Sequence, residues 1–244
     1  MKPRVFVDAP LEHAGEVSLE DAAAHHLARV LRLREGDTLT VFNGRGGEYP
    51  AVLGARQGRT VTARLGNHDA VDRESPLDIT LLQGVARGER MDLIVQKATE
   101  LGVARILPVL AERSVVKVDA RQRERKLEHW QSIAISACEQ CGRNRVPEVT
   151  APAELGAAIA ALPPGGLRCL LAADGAEPLA AAARGAREGV VLLIGPEGGL
   201  AENERRFAGA HDFRAYRLGP RILRTETAGL AALAALQTVG GDFA

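Results

Sequence analysis

The sequence predicts an α/β protein: a mainly parallel sheet with helices on both faces, preceded by a small β-barrel-like module. Three observations carry this. From Leu77 onward, apolar runs such as LDITLLQGVA, LRCLLAAD and VVLLIG alternate with helical segments, and strands covered on both faces read as unbroken apolar runs. The first seventy-odd residues instead hold short β-branched runs separated by GRGG and RQGR turns. Between the two textures lies NHDAVDRESP, polar and ending at Pro76, so the expected domains are residues 1–72 and 73–244.

In the first module, RVFV, DTLTVFN, EYPAVLGA and TVTARLG read as strands. One helix is expected among them, AAAHHLARVL, with Ser18 and Asp21 as a capping arrangement ahead of it. In the second, LDITLLQGVA precedes the helical RMDLIVQKATELG, and ARILPVL precedes the long ARQRERKLEHWQSIAISACEQ. LRCLLAAD then leads to PLAAAAR, VVLLIG to AENERRFAGA, and FRAYRLG to TAGLAALAALQTV. In that last helix Leu230, Leu233, Leu236 and Val239 stand among alanines, a smooth face suited either to a core or to a partner helix.

Acidic and basic residues number 31 each, so any nucleic-acid contact must come from local patches. Two such patches exist. Residues 22–68 hold seven arginines against three acids, and residues 214–224 hold four arginines and no acid. The start of the chain has no long apolar segment of a secretory signal, and no eighteen uncharged apolar residues run together. A soluble, cytoplasmic protein with no membrane partner is expected. Three cysteines form no disulfide framework. Cys138 and Cys141 make a C-x-x-C, but no second ligand pair lies nearby and the motif falls late in a helix, so neither zinc nor thiolate chemistry is expected and no metal is assigned. His25 and His26 are adjacent on a helix and point apart, which also excludes a metal pair.

The chemistry concentrates near the carboxyl end. IGPEGG follows the apolar run VVLLI, yet it has no Lys-Ser or Lys-Thr for a phosphate loop and neither the spacing nor the position of a dinucleotide fingerprint. What remains is either an ordinary tight turn or an elbow whose Gly195, Gly198 and Gly199 let backbone groups approach a ligand while Pro196 stiffens the bend. A second junction, LGPRILRTETA, opens an apolar helix. Thr225 or Thr227 can cap it and Glu226 suits its positive end. Capping does not explain Arg224, a cation where the helix dipole disfavours one. Two such loops at carboxyl ends of neighbouring strands would form one cleft.

IGPEGG and LGPRILRTETA, together with QKATELGV, ERSVVK, ACEQCGRNRVPEV and the N-terminal HHLARVLRLREGDTLTVFNGRGGEYPA, resemble the RsmE family of SPOUT-class methyltransferases, which methylate uridine N3 in 16S ribosomal RNA. The resemblance spans nearly the whole chain. It implies a PUA-like RNA-binding barrel, then a trefoil-knotted domain that binds S-adenosylmethionine and forms a homodimer acting on 16S rRNA or the small ribosomal subunit. Carried onto this sequence, the donor site comprises Leu171, Ala172, Ile194, Gly195, Pro196, Glu197, Gly198, Gly199, Leu218, Gly219, Ile222, Leu223, Thr225 and Thr227. Arg224 and Arg143 are candidates to stabilise a uridine anion, and Glu139 is the candidate base; a surface ion pair of Glu139 with Arg143 is the alternative. Arg4, Arg29, Arg32, Arg34 and Arg45 are candidates for gripping RNA. Two rival functions stay open: a SPOUT enzyme acting on a ribose hydroxyl or a tRNA base, and a non-catalytic RNA-binding protein of this fold.

Overall fold

Alternating burial decides how the N-terminal strands assemble. In the computed structural model, which describes residues 2–12, 15–19, 33–58, 60–116, 118–184, 186 and 189–243, the chain divides into two units. The first comprises Met1–Glu74 together with Cys138–Val146. Its five strands are β1 (Arg4–Phe6), β2 (Glu16–Leu19), β3 (Thr38–Phe42), β4 (Tyr49–Gln57) and β5 (Thr60–Leu65). They lie in the order β1-β3-β4-β5-β2, with β1 and β3 parallel and the other pairs antiparallel. In β2 and β5 every second side chain turns inward, so Val17, Leu19, Leu39, Val41, Val61 and Ala63 close on one core. Ser18, expected ahead of a helix, instead sits inside β2 opposite Thr62. The expected helix AAAHHLARVL, with His25, His26 and Arg29, and Arg32 just after it, lie outside the described residues.

The Cys138–Val146 segment is held by charge. Arg4, 8% exposed, donates to Glu48, to the Arg143 carbonyl at 3.1 Å and to Asn144 Oδ1 at 2.5 Å. Arg73 also donates to Glu48, at 2.9 Å. Glu74 accepts from Arg143 Nε at 2.8 Å and from the backbone N–H groups of Asn144 and Arg145 at 3.3 and 3.2 Å. Burial pushes the Glu48 carboxyl up, but hydrogen bonds from Arg73 and Arg4, with their charges, outweigh it and hold it below its ordinary value of 4.5. A depressed carboxylate stabilises the fold above its unfolded value, and that stability is lost as pH falls through the folded value. Thermal melts between about pH 5 and pH 3 should therefore show a steep loss for the wild type and a shallower one for Glu48→Gln, which has no carboxylate to titrate there.

The second unit comprises Ser75–Ala137 and Pro147–Ala244. Its elements are β6 (Ile79–Gly84), α1 (Glu89–Glu100), β7 (Arg105–Leu110), α2 (Ala120–Cys141, whose last turn belongs to the first unit), β8 (Glu148–Val149), β9 (Ala153–Glu154) and α3 (Leu155–Ala160). β10 (Leu167–Leu171), β11 (Glu177–Pro178), α4 (Leu179–Ala183), β12 (Val190–Ile194), α5 (Glu202–Ala210), β13 (Arg214–Arg217) and α6 (Thr225–Gly240) follow. The sheet runs β11-β13-β10-β12-β6-β7-β8, with β9 also on β7, and every pairing is parallel. Such a sheet needs cover on both faces. Leu82, Val191 and Leu193 share a core with Leu155 and Ile159 of α3 and Ala208 of α5, while α6 packs on β6 and β12 and receives α1 and α4. Leu233 and Leu236 are fully buried in that packing. In the first unit's added segment, Cys138 is buried, and burial pushes its thiol up to about 12, so it packs as an apolar group.

Candidate functional site

Because β6, β12, β10 and β13 are parallel neighbours, the loops that follow them leave one edge of the sheet, where open α/β sheets take their ligands. After β12 the chain turns sharply: the Gly199 N–H donates to the Pro196 carbonyl at 2.8 Å, and Gly199 has φ of +68°, a region open to glycine at no steric cost. The neighbouring glycines admit backbone to backbone. A Cβ on Gly195 would lie 3.1 Å from the Leu200 nitrogen, and one on Gly198 would lie 2.9 Å from the Arg113 carbonyl oxygen. At the end of β6, a Cβ on Gly84 would press on Pro196, 2.6 Å from its Cδ, and sit 2.8 Å from the Gly195 carbonyl carbon.

The loop after β13 is tied to the same elbow. Arg224, not a threonine, occupies the N-cap of α6, and no side chain caps that helix. The Thr225 hydroxyl is committed elsewhere: it donates to the Gly195 carbonyl at 2.7 Å and accepts from the fully buried Gln83 amide at 2.9 Å. Gln83 also donates to the Gly84 carbonyl at 3.0 Å. One hydroxyl thus joins β6, the elbow and α6. The elbow's outer edge is latched by Glu197, which accepts from the Arg87 N–H at 3.0 Å and from Arg90 at 2.9 Å. Burial raises the Glu197 carboxyl, yet these bonds together hold it below the ordinary carboxylate value. At the start of α5, Glu204 accepts from the Ala201 N–H at 2.8 Å, the N3 half of a capping box whose N-cap half an alanine cannot supply.

These loops enclose a cleft of about 780 Å³, within the range of small-molecule sites. Leu170, Leu171, Ile194, Ile222 and Leu223 give it apolar walls, and Gly195, Pro196 and Gly199 present backbone. Asp174, Glu197 and Glu226 line it beside Arg90, Arg113, Arg205 and Arg224. Arg205 bonds both oxygens of Asp174 at 2.9 Å, and those bonds hold the Asp174 carboxyl low. Ile222 is 88% exposed, a large apolar side chain left to solvent at the cleft wall. A smaller hollow of about 100 Å³ adjoins it, lined by Leu218, Gly219 and Arg221 along with Leu171, Ala172, Ile222 and Leu223.

The family described as RNA methyltransferase domain matches residues 73–237, and that described as RNA methyltransferase PUA domain matches residues 19–66. A solved ribosomal RNA small subunit methyltransferase E from Neisseria gonorrhoeae, bound to S-adenosyl methionine, superposes with a TM-score of 0.90 at 39% identity, covering 100% of both chains. The enzyme of the same name from Bacillus subtilis (strain 168) is 33% identical over 93% of this chain and 91% of its own. The one from Synechocystis is 35% identical over 91% of this chain and 73% of its own. The chain belongs to the RsmE family.

Of the donor residues that the RsmE resemblance implies, Leu171, Ala172, Ile194, Gly195, Pro196, Glu197, Gly199, Ile222, Leu223 and Thr225 line the larger cleft. Leu218 and Gly219 line the adjoining hollow. Gly198 and Thr227 line neither; Gly198 instead takes the backbone of Arg113 against it. Arg224 is exposed and lines the cleft. Arg143 and Glu139 belong to the first unit, where Glu74 holds the buried Arg143 guanidinium and Glu139 accepts from the Phe6 N–H at 3.0 Å. Among the RNA candidates, Arg34 and Arg45 are exposed. Arg4 is not, because Glu48 and Asn144 draw its guanidinium inward; Arg29 and Arg32 lie outside the described residues. Sequence reasoning missed Gln83, Gly84, Arg90 and Arg113. The one available signal was Gln-Gly closing the otherwise apolar strand LLQG, a polar group with no reason to be buried unless it holds something.

Proposed function

We propose that this chain methylates N3 of a uridine in 16S ribosomal RNA of the small subunit, with S-adenosylmethionine as donor bound on a trefoil-knotted backbone. The observation that carries the reading is the convergence of three loops, after β10, β12 and β13, on one cleft. Its residues fit the donor. Apolar walls suit adenine and the methionine chain, and glycine-lined backbone suits edge recognition. When bound, the donor supplies an electrophilic methyl group on a sulfonium.

The chain's own residues then have two tasks, alignment and a ready nucleophile. Uridine N3 carries a proton, which must leave or be shared before nitrogen can attack. Arg224, exposed at the cleft and without a side-chain capping role, is suited to stabilise the anion developing over O2 and O4. Arg143 and Glu139 are candidates for the second cation and the base. The ion pair of Arg143 with Glu74 favours a framework role for the arginine. Thr225 acts by fixing the Gly195 carbonyl. Thr225→Val leaves that carbonyl and the Gln83 amide short of a partner, at about 1–3 kcal/mol, so the calorimetric Kd for S-adenosylmethionine should rise about tenfold or more, and Thr225→Ser should restore it.

Mass mapping of small-subunit RNA from cells with and without the protein tests the reaction. The expected difference is one methyl group on a uracil at N3. A methyl on a ribose hydroxyl or on a tRNA base would move the chain to another SPOUT activity, and failure of the purified protein to bind the donor would leave a non-catalytic RNA-binding protein. In this reading residues 1–72 form the RNA-binding domain and residues 73–244 the methyltransferase domain. Two copies pair, one protomer's N-terminal domain presenting RNA to its partner's cleft. In this reading the work is cytoplasmic, where small-subunit RNA is.

A further inference from the structure

Among the described residues four arginines line the cleft, and their partners divide them into two pairs. Arg90 is held by Glu197 and Arg205 by Asp174, each at 2.9 Å. Arg113 and Arg224 are exposed, and no carboxylate of the described residues pairs with either. The position of Arg113 is built, not incidental. Gly198 has no side chain, and a Cβ there would lie 2.9 Å from the Arg113 carbonyl oxygen and 3.0 Å from the Arg113 Cβ. The absence of that one atom lets the segment after β7 lie against the elbow, with Arg113 at the cleft wall. A second contact fixes the same segment: the Glu112 N–H donates to Glu204 at 2.9 Å.

An exposed guanidinium at the cleft wall with no carboxylate partner among the described residues can take an anion that arrives with the substrate. RNA brings one phosphate per nucleotide, and a guanidinium fork matches two of its oxygens. We infer that Arg113 is a substrate-binding residue, holding a phosphate of the RNA strand next to the nucleotide being methylated while Arg224 faces the base. A phosphate contact of this kind sets the register of the strand without reading its sequence. The inference rests on the proposed methylation of RNA and adds to it the group that seats the strand at the cleft.

The test measures binding of an unmodified 16S ribosomal RNA transcript at several KCl concentrations for wild type, Arg113→Ala and Arg113→Lys, with S-adenosylmethionine titrated calorimetrically into each. Arg113→Ala should bind the transcript roughly threefold to tenfold more weakly at low salt, and its log–log salt slope should be shallower by about 0.7–0.9, the loss of one phosphate contact. Arg113→Lys should keep the slope. Melting temperature should not change, since the side chain is exposed, and donor affinity should not change if the anion this arginine holds belongs to the RNA and not to the donor. Unchanged RNA affinity and slope in Arg113→Ala would overturn the inference. So would a weakened donor affinity, which would make the donor's carboxylate the ligand of this arginine. Failure of the wild type to bind the donor is a separate result and would sink the proposed function itself.

Discussion

Arg224→Ala should abolish methyl transfer and leave the rest of the molecule as it is. Arg224 is the N-cap of α6 with extended backbone, φ −65° and ψ 154°, and contributes no side-chain capping bond. Its carbonyl accepts the Ala228 N–H at 2.8 Å whatever the side chain, so alanine keeps the first turn of the helix. No described carboxylate pairs with the guanidinium, so its removal strands no buried partner. In the proposed reaction, what is lost is a positive group facing the developing negative charge on the uracil, and removal of one such preorganised donor slows turnover by about 10²–10³-fold. Single-turnover assays at saturating donor and RNA, with calorimetry and a thermal melt on the same preparation, separate the effects. Near-normal turnover would remove Arg224 from the mechanism; a large fall in melting temperature would make it a structural residue.

Gly84→Ala should be among the most damaging single methyls in the second unit. Gly84 closes β6, paired with Val109 of β7, one residue past the last β6–β12 pair, Gln83 with Ile194. The added carbon would press on the Pro196 ring at 2.6 Å and the Gly195 carbonyl carbon at 2.8 Å. Neither is the end of a flexible side chain, so the elbow itself must move. Displacement at that point strains or breaks the 2.7 Å bond from Thr225 to the Gly195 carbonyl, while overpacking costs about 1–3 kcal/mol. The expected result is a fall of several degrees in melting temperature with the loss of measurable donor binding. Gly209→Ala is the control: it lies within α5 with nothing within 4 Å of a new Cβ, and alanine favours a helix by about 1 kcal/mol over glycine. Donor binding retained by Gly84→Ala would show that the elbow tolerates movement.

The alternation of both units was legible because burial leaves a period in the residues themselves. Strands with one wet face alternate, as in EVSL of β2, and strands covered twice do not, as in VVLLI of β12. Both glycine-bearing junctions could be read for the same reason, since Gly and Pro mark the bends directly. Tertiary contacts left no such trace. Ser18 has the chemistry of a cap, but pairing with β5 claims its backbone for a strand. Thr225 also looks like a cap, yet a buried glutamine and a carbonyl two strands' breadth of sequence away claim its hydroxyl. Gly84 reads as an unremarkable strand end until Pro196 is set against it. The assignment of Cys138–Val146 to the N-terminal unit escaped the sequence because Arg4 and Glu74 recognise backbone groups and side chains about 70–140 positions distant, and charge pairing has no period.

The order of strands in the parallel sheet also governs how the molecule is made. β12 fits between β6 and β10, and its register joins Val190 to Ile79, more than a hundred positions earlier. No hairpin can nucleate such a pairing, and the entropy of closing so long a loop is spent before the contact repays it. During translation β6 must therefore wait, with one edge unsatisfied, until β12 has emerged more than a hundred residues later. Enzymatic competence arrives only once the elbow and the loop after β13 have followed it, and a nascent chain stalled before them would carry an aggregation-prone open edge.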